Sequence, residues 1–287
     1  MIDAAAARLR GARKTSADHA SRALSRSVAL PAWGAAIAAA ELVALTLGRL
    51  SGALMHAALV AVLSNVYLVL RRRLGEADST QRAADELHAR TTAILTLVPL
   101  LRLLALSLPV ATVSAPYQYA LVGAPMAVAA FLTMRMLGRA RPPVWAPPLP
   151  RSQLLLVASG VPLGLLGFLI LRPAPLVGSW SLQKLAVATL ILFAFTGFLE
   201  ELIFRGLLQR VWSQASGSSG VLWSTAVFAI SYCGTRSPGF VVFIGAVGLL
   251  FGVSYQRTGS LLGVSAAHGC FSAGLLLFWP LILGQGT

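Results

Sequence analysis

Nine apolar stretches, each set off from the next by charge, proline or glycine, decide what this chain can fold into. They lie near residues 28–48, 51–70, 92–113, 117–137, 153–171, 182–200, 219–234, 239–255 and 260–283. A helix needs about 20 apolar residues to cross a hydrocarbon core about 30 Å thick. The expectation is therefore an all-α, polytopic integral membrane protein with about nine transmembrane helices. Pro99, Pro109, Pro125 and Pro162 fall inside spans, where neighbouring helices can satisfy the freed backbone groups.

Charge supports this and orients it. Of the 287 residues 57% are hydrophobic and 11% charged, against about 25% charged in a soluble domain. The 23 Lys+Arg and 9 Asp+Glu leave a formal charge of +14. In so apolar a chain the basic excess reads as topology, and no nucleic-acid partner is expected, since that needs a solvated basic face. With the N-terminus cytoplasmic, 18 basic residues collect on the inner side, among them Arg71, Arg72, Arg73, Arg135, Arg151, Arg205, Arg210 and Arg257. Four (Arg49, Arg172, Lys184, Arg236) fall on the other, and Arg102 lies within a span. This is the sorting that the positive-inside rule requires.

The same pass divides the chain. Residues 1–26 form a basic cytoplasmic arm with no apolar core of a cleavable signal, so the first hydrophobic helix is expected to be an uncleaved anchor. Residues 27–138 form a four-helix membrane portion, within which 71–90 reads as a mixed-charge cytoplasmic loop, partly helical. A proline-rich linker, RARPPVWAPPLPR, spans 139–151, and residues 152–287 form a five-helix portion. Cys233 and Cys270 are too few for a disulfide framework and read as buried free thiols. Twenty-one Arg to two Lys with abundant Ala suggests a GC-rich genome and a bacterial cytoplasmic membrane.

Ionisable groups inside a membrane are costly and mark function by default. Seven of the nine acids lie in the first 86 residues, so from residue 87 onward the only carboxylates are Glu200 and Glu201. In FLEELIFR, Glu201 and Arg205 are i and i+4 and face one another. Glu200 is about 100° round the helix, without a sequence-local partner. Phe228 and Tyr232 (FAISY) and His268 and Ser272 (HGCFS) repeat the i,i+4 spacing on the following helices. An ordinary ion pair at a helix end and a hydrogen-bonded core histidine are the plain structural accounts of these residues. Against them stands the unpaired extra carboxylate.

Taken in order, EExxxR (Glu200, Glu201, Arg205), the FxxxY segment, GLLFGVSYQRTGSLLG and AHGCFS resemble the CPBP family of intramembrane proteases, which includes CAAX prenyl protease 2 and bacteriocin-processing or immunity-type proteases. The resemblance covers residues 181–287. It implies an all-helical membrane core with a polar cavity in which Glu200 is the general base. Glu201 with Arg205 would shape the cavity, and His268 would be the last-helix histidine. Two positions depart from the pattern: Tyr232 stands where the family has His, and Ser272 where it has Asn. Tyrosine, with a reference pKa near 10, is a poor proton acceptor, and serine offers no amide NH₂ to an oxyanion. His19, His56 and His88 lie outside the matching region. No cofactor is assigned: a divalent metal stays open as an alternative, but with only Glu200, Glu201 and His268 its site is one ligand short of a usual one.

The departures favour a degenerate protease scaffold, a pseudoprotease, that binds another integral membrane protein or an apolar ligand, with membrane lipid as its surroundings. Glu41, Arg102 and Asn65 in the N-terminal spans are candidates for such contacts. The alternative is an active intramembrane endopeptidase in which Glu200 and His268 carry the acid–base work and Tyr232 donates to the oxyanion. A transporter or channel finds little support, because the polar residues form no repeated stripe.

Overall fold

A computed structural model describes residues 30–75, 79–138 and 151–284. The basic arm, residues 76–78 of the expected loop and all but the last residue of the proline-rich linker lie outside the described residues. Every regular element among those described is helical: α1 (Leu30–Thr46), α2 (Arg49–Arg73), α3 (Ser79–Leu95), α4 (Leu97–Ser107), α5 (Ala115–Met136), α6 (Arg151–Leu171), α7 (Leu182–Ser216), α8 (Ser219–Ile230), α9 (Pro238–Thr258) and α10 (Leu261–Leu283). Seven helical runs are long and apolar enough to span a bilayer. Two expected spans are shorter, α1 with 17 residues and α8 with 12. This is a multi-pass, all-α membrane protein. Its outer surface is apolar, with Leu50 75% and Leu182 86% exposed, as a lipid-facing surface must be.

Three boundaries differ from the sequence reading, each for a physical reason. Most of the expected loop at 71–90 is helix, because α2 runs through Arg73 and α3 begins at Ser79 and carries on into the third span. Its amphipathic pattern lets one face bury Ala89, Thr91 and Thr92 while charged residues stay outward. The sixth span does not stop at Glu200. It continues to Ser216, since Arg205 is ion-paired inside the core and no charge interrupts the helix. At 1.5 Å per residue its 35 residues reach about 52 Å, well beyond a hydrocarbon core of about 30 Å. Arg205 is thus removed from the cytoplasmic loop charges: its side chain is 1% exposed. The seventh span ends early, at Ile230, and Tyr232 sits just past the helix before a 3₁₀ turn at Cys233–Thr235.

Small residues let the central helices touch. On α6, a Cβ at Gly160 would strike the carbonyl of Ala267, and one at Gly164 would meet the Phe271 carbonyl at 2.8 Å, both on α10. Gly197 of α7 packs as closely on Ser265 and Gly269 of α10. In lipid, where burial of apolar surface gives little net drive, such backbone approach is what holds helices together. The N-terminal helices close over this core. Phe195 of α7 fills the space beside Gly123 of α5, and α1 packs on α8.

Candidate functional site

The polar residues sit where α7 and α10 leave regular α-helical winding. Two π-helical stretches, Phe193–Glu200 and Leu202–Gln209, flank Glu201, and a third, Gly274–Phe278, follows Ser272. Wide turns of this kind re-aim side chains and recur at functional sites. Here they split the six sequence-singled residues into two groups.

The first group is buried. Glu201 Oε1 lies 2.8 Å from His268 Nδ1 and 3.2 Å from Arg205 Nη1. Arg205 also donates from Nη2 to the Gly248 carbonyl at 3.1 Å, and its guanidinium lies 4.3 Å above the Phe228 ring. His268 is packed among Phe228, Phe251 and Phe271, each with its ring centroid 5.9 Å away. The buried cation is compensated by a carboxylate, a carbonyl and an aromatic face, although Arg205 Nη1 and Glu201 Oε2 make no hydrogen bond among the described residues. This cluster ties α7 to α8, α9 and α10.

The second group lines a cavity of about 610 Å³ that contains Glu200, Tyr232 and Ser272. The Tyr232 hydroxyl donates to Glu200 Oε2 at 2.8 Å. Neither His268 nor Glu201 lines this cavity. Glu200 and His268, given the acid–base work together in the endopeptidase alternative, are not hydrogen-bonded to one another: the histidine's bond is to Glu201, and Glu200's is to the tyrosine. The 100° between adjacent helix positions is the reason, since one carboxylate faces α10 while its neighbour faces the cavity.

The rest of the cavity lining holds residues that the sequence only partly anticipated. Glu41 of α1 and Arg102 of α4 both line the cavity. Arg102 binds Glu41 through Nε, and through Nη2 at 2.8 Å. His56 Nε2 of α2 stands 3.1 Å from Glu41 Oε1, within ion-pair reach though off the alignment of a hydrogen bond. Asn65, grouped with Glu41 and Arg102 in the sequence, is exposed elsewhere on α2. Arg49, Gln118, Tyr119, Thr196 and Arg236 add to the polar lining, and nothing in their local sequence marked them for it. The signal that did exist was charge inside a span.

Among the described residues no three His, Cys, Asp or Glu side chains converge. Glu201 is engaged by a cation and His268 by Glu201, so the three ligands that a catalytic metal needs are not brought together. Cys233 and Cys270 are free thiols.

Residues 182–274 match the family model for type II CAAX prenyl endopeptidase, Rce1-like, over just under a third of the chain. No curated protein and no solved structure is significantly similar to it. The matched segment contains both polar groups, from α7 through the Ser272 end of α10.

Proposed function

Because residues 182–274 are an Rce1-like CAAX protease segment set in a multi-pass membrane protein, we propose that this chain is a pseudoprotease of that family, keeping the cavity as a binding site. The observation that carries this is the Tyr232 hydroxyl on Glu200 at 2.8 Å. A general base must have its carboxylate free to take a proton from water within about 3 Å. In this cavity the phenol occupies one of its oxygens, and His268 spends its Nδ1 on Glu201 instead. Ser272 lines the same cavity, but its hydroxyl is shorter than an amide and supplies a single donor. The retained functions are shape and polarity: a half-open cavity with a largely apolar lining and several polar groups, suited to an apolar or amphiphilic ligand or to part of a membrane-protein partner. Its arginine-rich composition favours a bacterial cytoplasmic membrane as the setting.

One observation favours a second reading, an active endopeptidase. His268 has Nδ1 fixed by Glu201 at 2.8 Å, and its Nε2 makes no hydrogen bond among the described residues. An orienting carboxylate behind an imidazole is how a general base is commonly held. Incubating purified protein with membrane-spanning and lipidated peptides separates the two. The pseudoprotease reading expects no cleavage by the natural chain, and gain of cleavage in Tyr232→His would identify the tyrosine as the cause. Cleavage by the natural chain that is lost in Glu200→Ala would overturn it.

A further inference from the structure

The part of the cavity lining that holds Arg102 has a chemistry that a protease remnant does not account for. Arg102 is braced there. Glu41 takes its Nε and Nη2, His56 backs Glu41 at 3.1 Å, and Nη1 makes no hydrogen bond among the described residues. A guanidinium held on one edge by a buried carboxylate presents its other edge to the cavity. Arg236 is the second cation. It lines the same cavity, and its side chain has no hydrogen bond or ion pair among the described residues. Its φ is +57°, a conformation that costs an L-residue other than Gly, Asn or Asp local strain. Gly234 lies between the two: a Cβ there would come within 2.9 Å of Arg102 Nη2, so glycine lets the Arg236 turn close against Arg102.

Topology sharpens the contrast. Arg49 and Arg236 are two of the four basic residues that sequence sorting places on the arginine-poor side, and both border this one cavity. Arg49 is occupied, donating to the Leu106 carbonyl at 3.1 Å, and so shapes the mouth. The lining comes from the helix ends on that side, with Leu45, Leu101, Val122, Leu171 and Leu276 forming the apolar wall. Two open guanidinium groups above an apolar wall at the membrane surface complement one kind of molecule, an anion carrying a hydrocarbon chain.

We propose that this end of the cavity seats the headgroup phosphate of an anionic membrane lipid on Arg102 and Arg236, with an acyl chain along the apolar wall. The proposal rests on the ligand-binding reading above and names its ligand. Phosphate suits the pair because its several oxygens accept from two guanidinium groups on separate elements, in the forked geometry that arginine offers. Zwitterionic lipid fits less well, since its quaternary ammonium would meet the same two cations.

The test is native mass spectrometry of the full chain released from uncharged micelles containing phosphatidylglycerol or phosphatidylcholine. Competitors are hexadecyl phosphate, hexadecanoate and inorganic phosphate. One phosphatidylglycerol should be retained, displaced by hexadecyl phosphate and not by inorganic phosphate. Arg236→Gln should weaken it at least about tenfold, the loss of one charge-assisted contact. Arg172→Gln, the same charge lost from an exposed residue on the same side that does not line the cavity, should not weaken it. Arg236→Gly guards against misfolding: at positive φ glycine is relaxed, so Tm should not fall while lipid is still lost. Equal losses in Arg172→Gln and Arg236→Gln would overturn the seat, as would hexadecanoate competing better than the phosphate. Equal retention of phosphatidylcholine would overturn the seat and leave an apolar ligand site standing. No retained amphiphile of any kind would overturn both.

Discussion

Two adjacent glutamates should respond very differently to the same substitution. Glu201→Gln keeps the shape of a side chain that is 0% exposed but removes the negative charge facing Arg205 and His268. Arg205, 1% exposed, is then left with the Gly248 carbonyl at 3.1 Å and the Phe228 ring as its only compensation. Removing one partner of a buried ion pair costs about 3–5 kcal/mol, because the remaining charge stays desolvated. At about 2–4 °C per kcal/mol for a domain of comparable size, Tm should fall by roughly 6–20 °C. Glu200→Gln meets another environment. The Tyr232 hydroxyl can still donate to the amide oxygen in place of the carboxylate it now binds at 2.8 Å, and the cavity admits water to the rest. The loss there is a charge-assisted bond exchanged for a neutral one, about 1 kcal/mol, or less than about 4 °C. Thermal unfolding of both variants in the same detergent, followed by the intrinsic fluorescence of the six tryptophans, reads the difference. Equal shifts, or a larger loss in Glu200→Gln, would refute the division into a structural and a cavity carboxylate.

Three further outcomes follow from the same geometry. Tyr232→Phe should cost less than about 1.5 kcal/mol, one hydrogen bond replaceable by water, and a drop as large as that of Glu201→Gln would mean that Tyr232 belongs to the structural core. Gly160→Ala puts a methyl group against the Ala267 carbonyl and should destabilise the α6–α10 contact by about 1–3 kcal/mol through overpacking; an unchanged Tm would show that the two helices separate freely. In a chain with Cys233 and Cys270 replaced by serine and alanine, Ser218→Cys and Ser179→Cys place single thiols on exposed positions at the two ends of α7. A membrane-impermeant maleimide should reach Ser218→Cys only from the cytoplasmic side and Ser179→Cys only from the other. Labelling of both from one side would break the orientation and the side to which the cavity opens.

Much of this was legible in the chain of letters, for a reason that belongs to lipid. Hydrocarbon offers no partner to a charge or a backbone amide, so spans must be apolar helices, and any charge left within one has to find a partner. Glu41, Arg102 and Glu200 stand out on that ground alone, and Glu201 and Arg205 by their i,i+4 spacing just past the end of the sixth span. Local pairing was readable too, because i,i+4 geometry is a property of the helix itself, and Arg205 does meet Glu201 at 3.2 Å. What the sequence by itself could not determine is rotation. Whether His268 faces Glu200 or Glu201 depends on the π-helical turns beside Glu201 and on how closely Gly197 lets α7 approach Gly269 of α10. The partnership of Arg102 with Glu41, 61 residues away, needs α1 and α4 to be neighbours, which no local pattern states. Tertiary packing alone divided the six residues of one motif set into a buried ion cluster and a cavity wall, because the angle between neighbouring helix positions becomes meaningful only once other helices surround it.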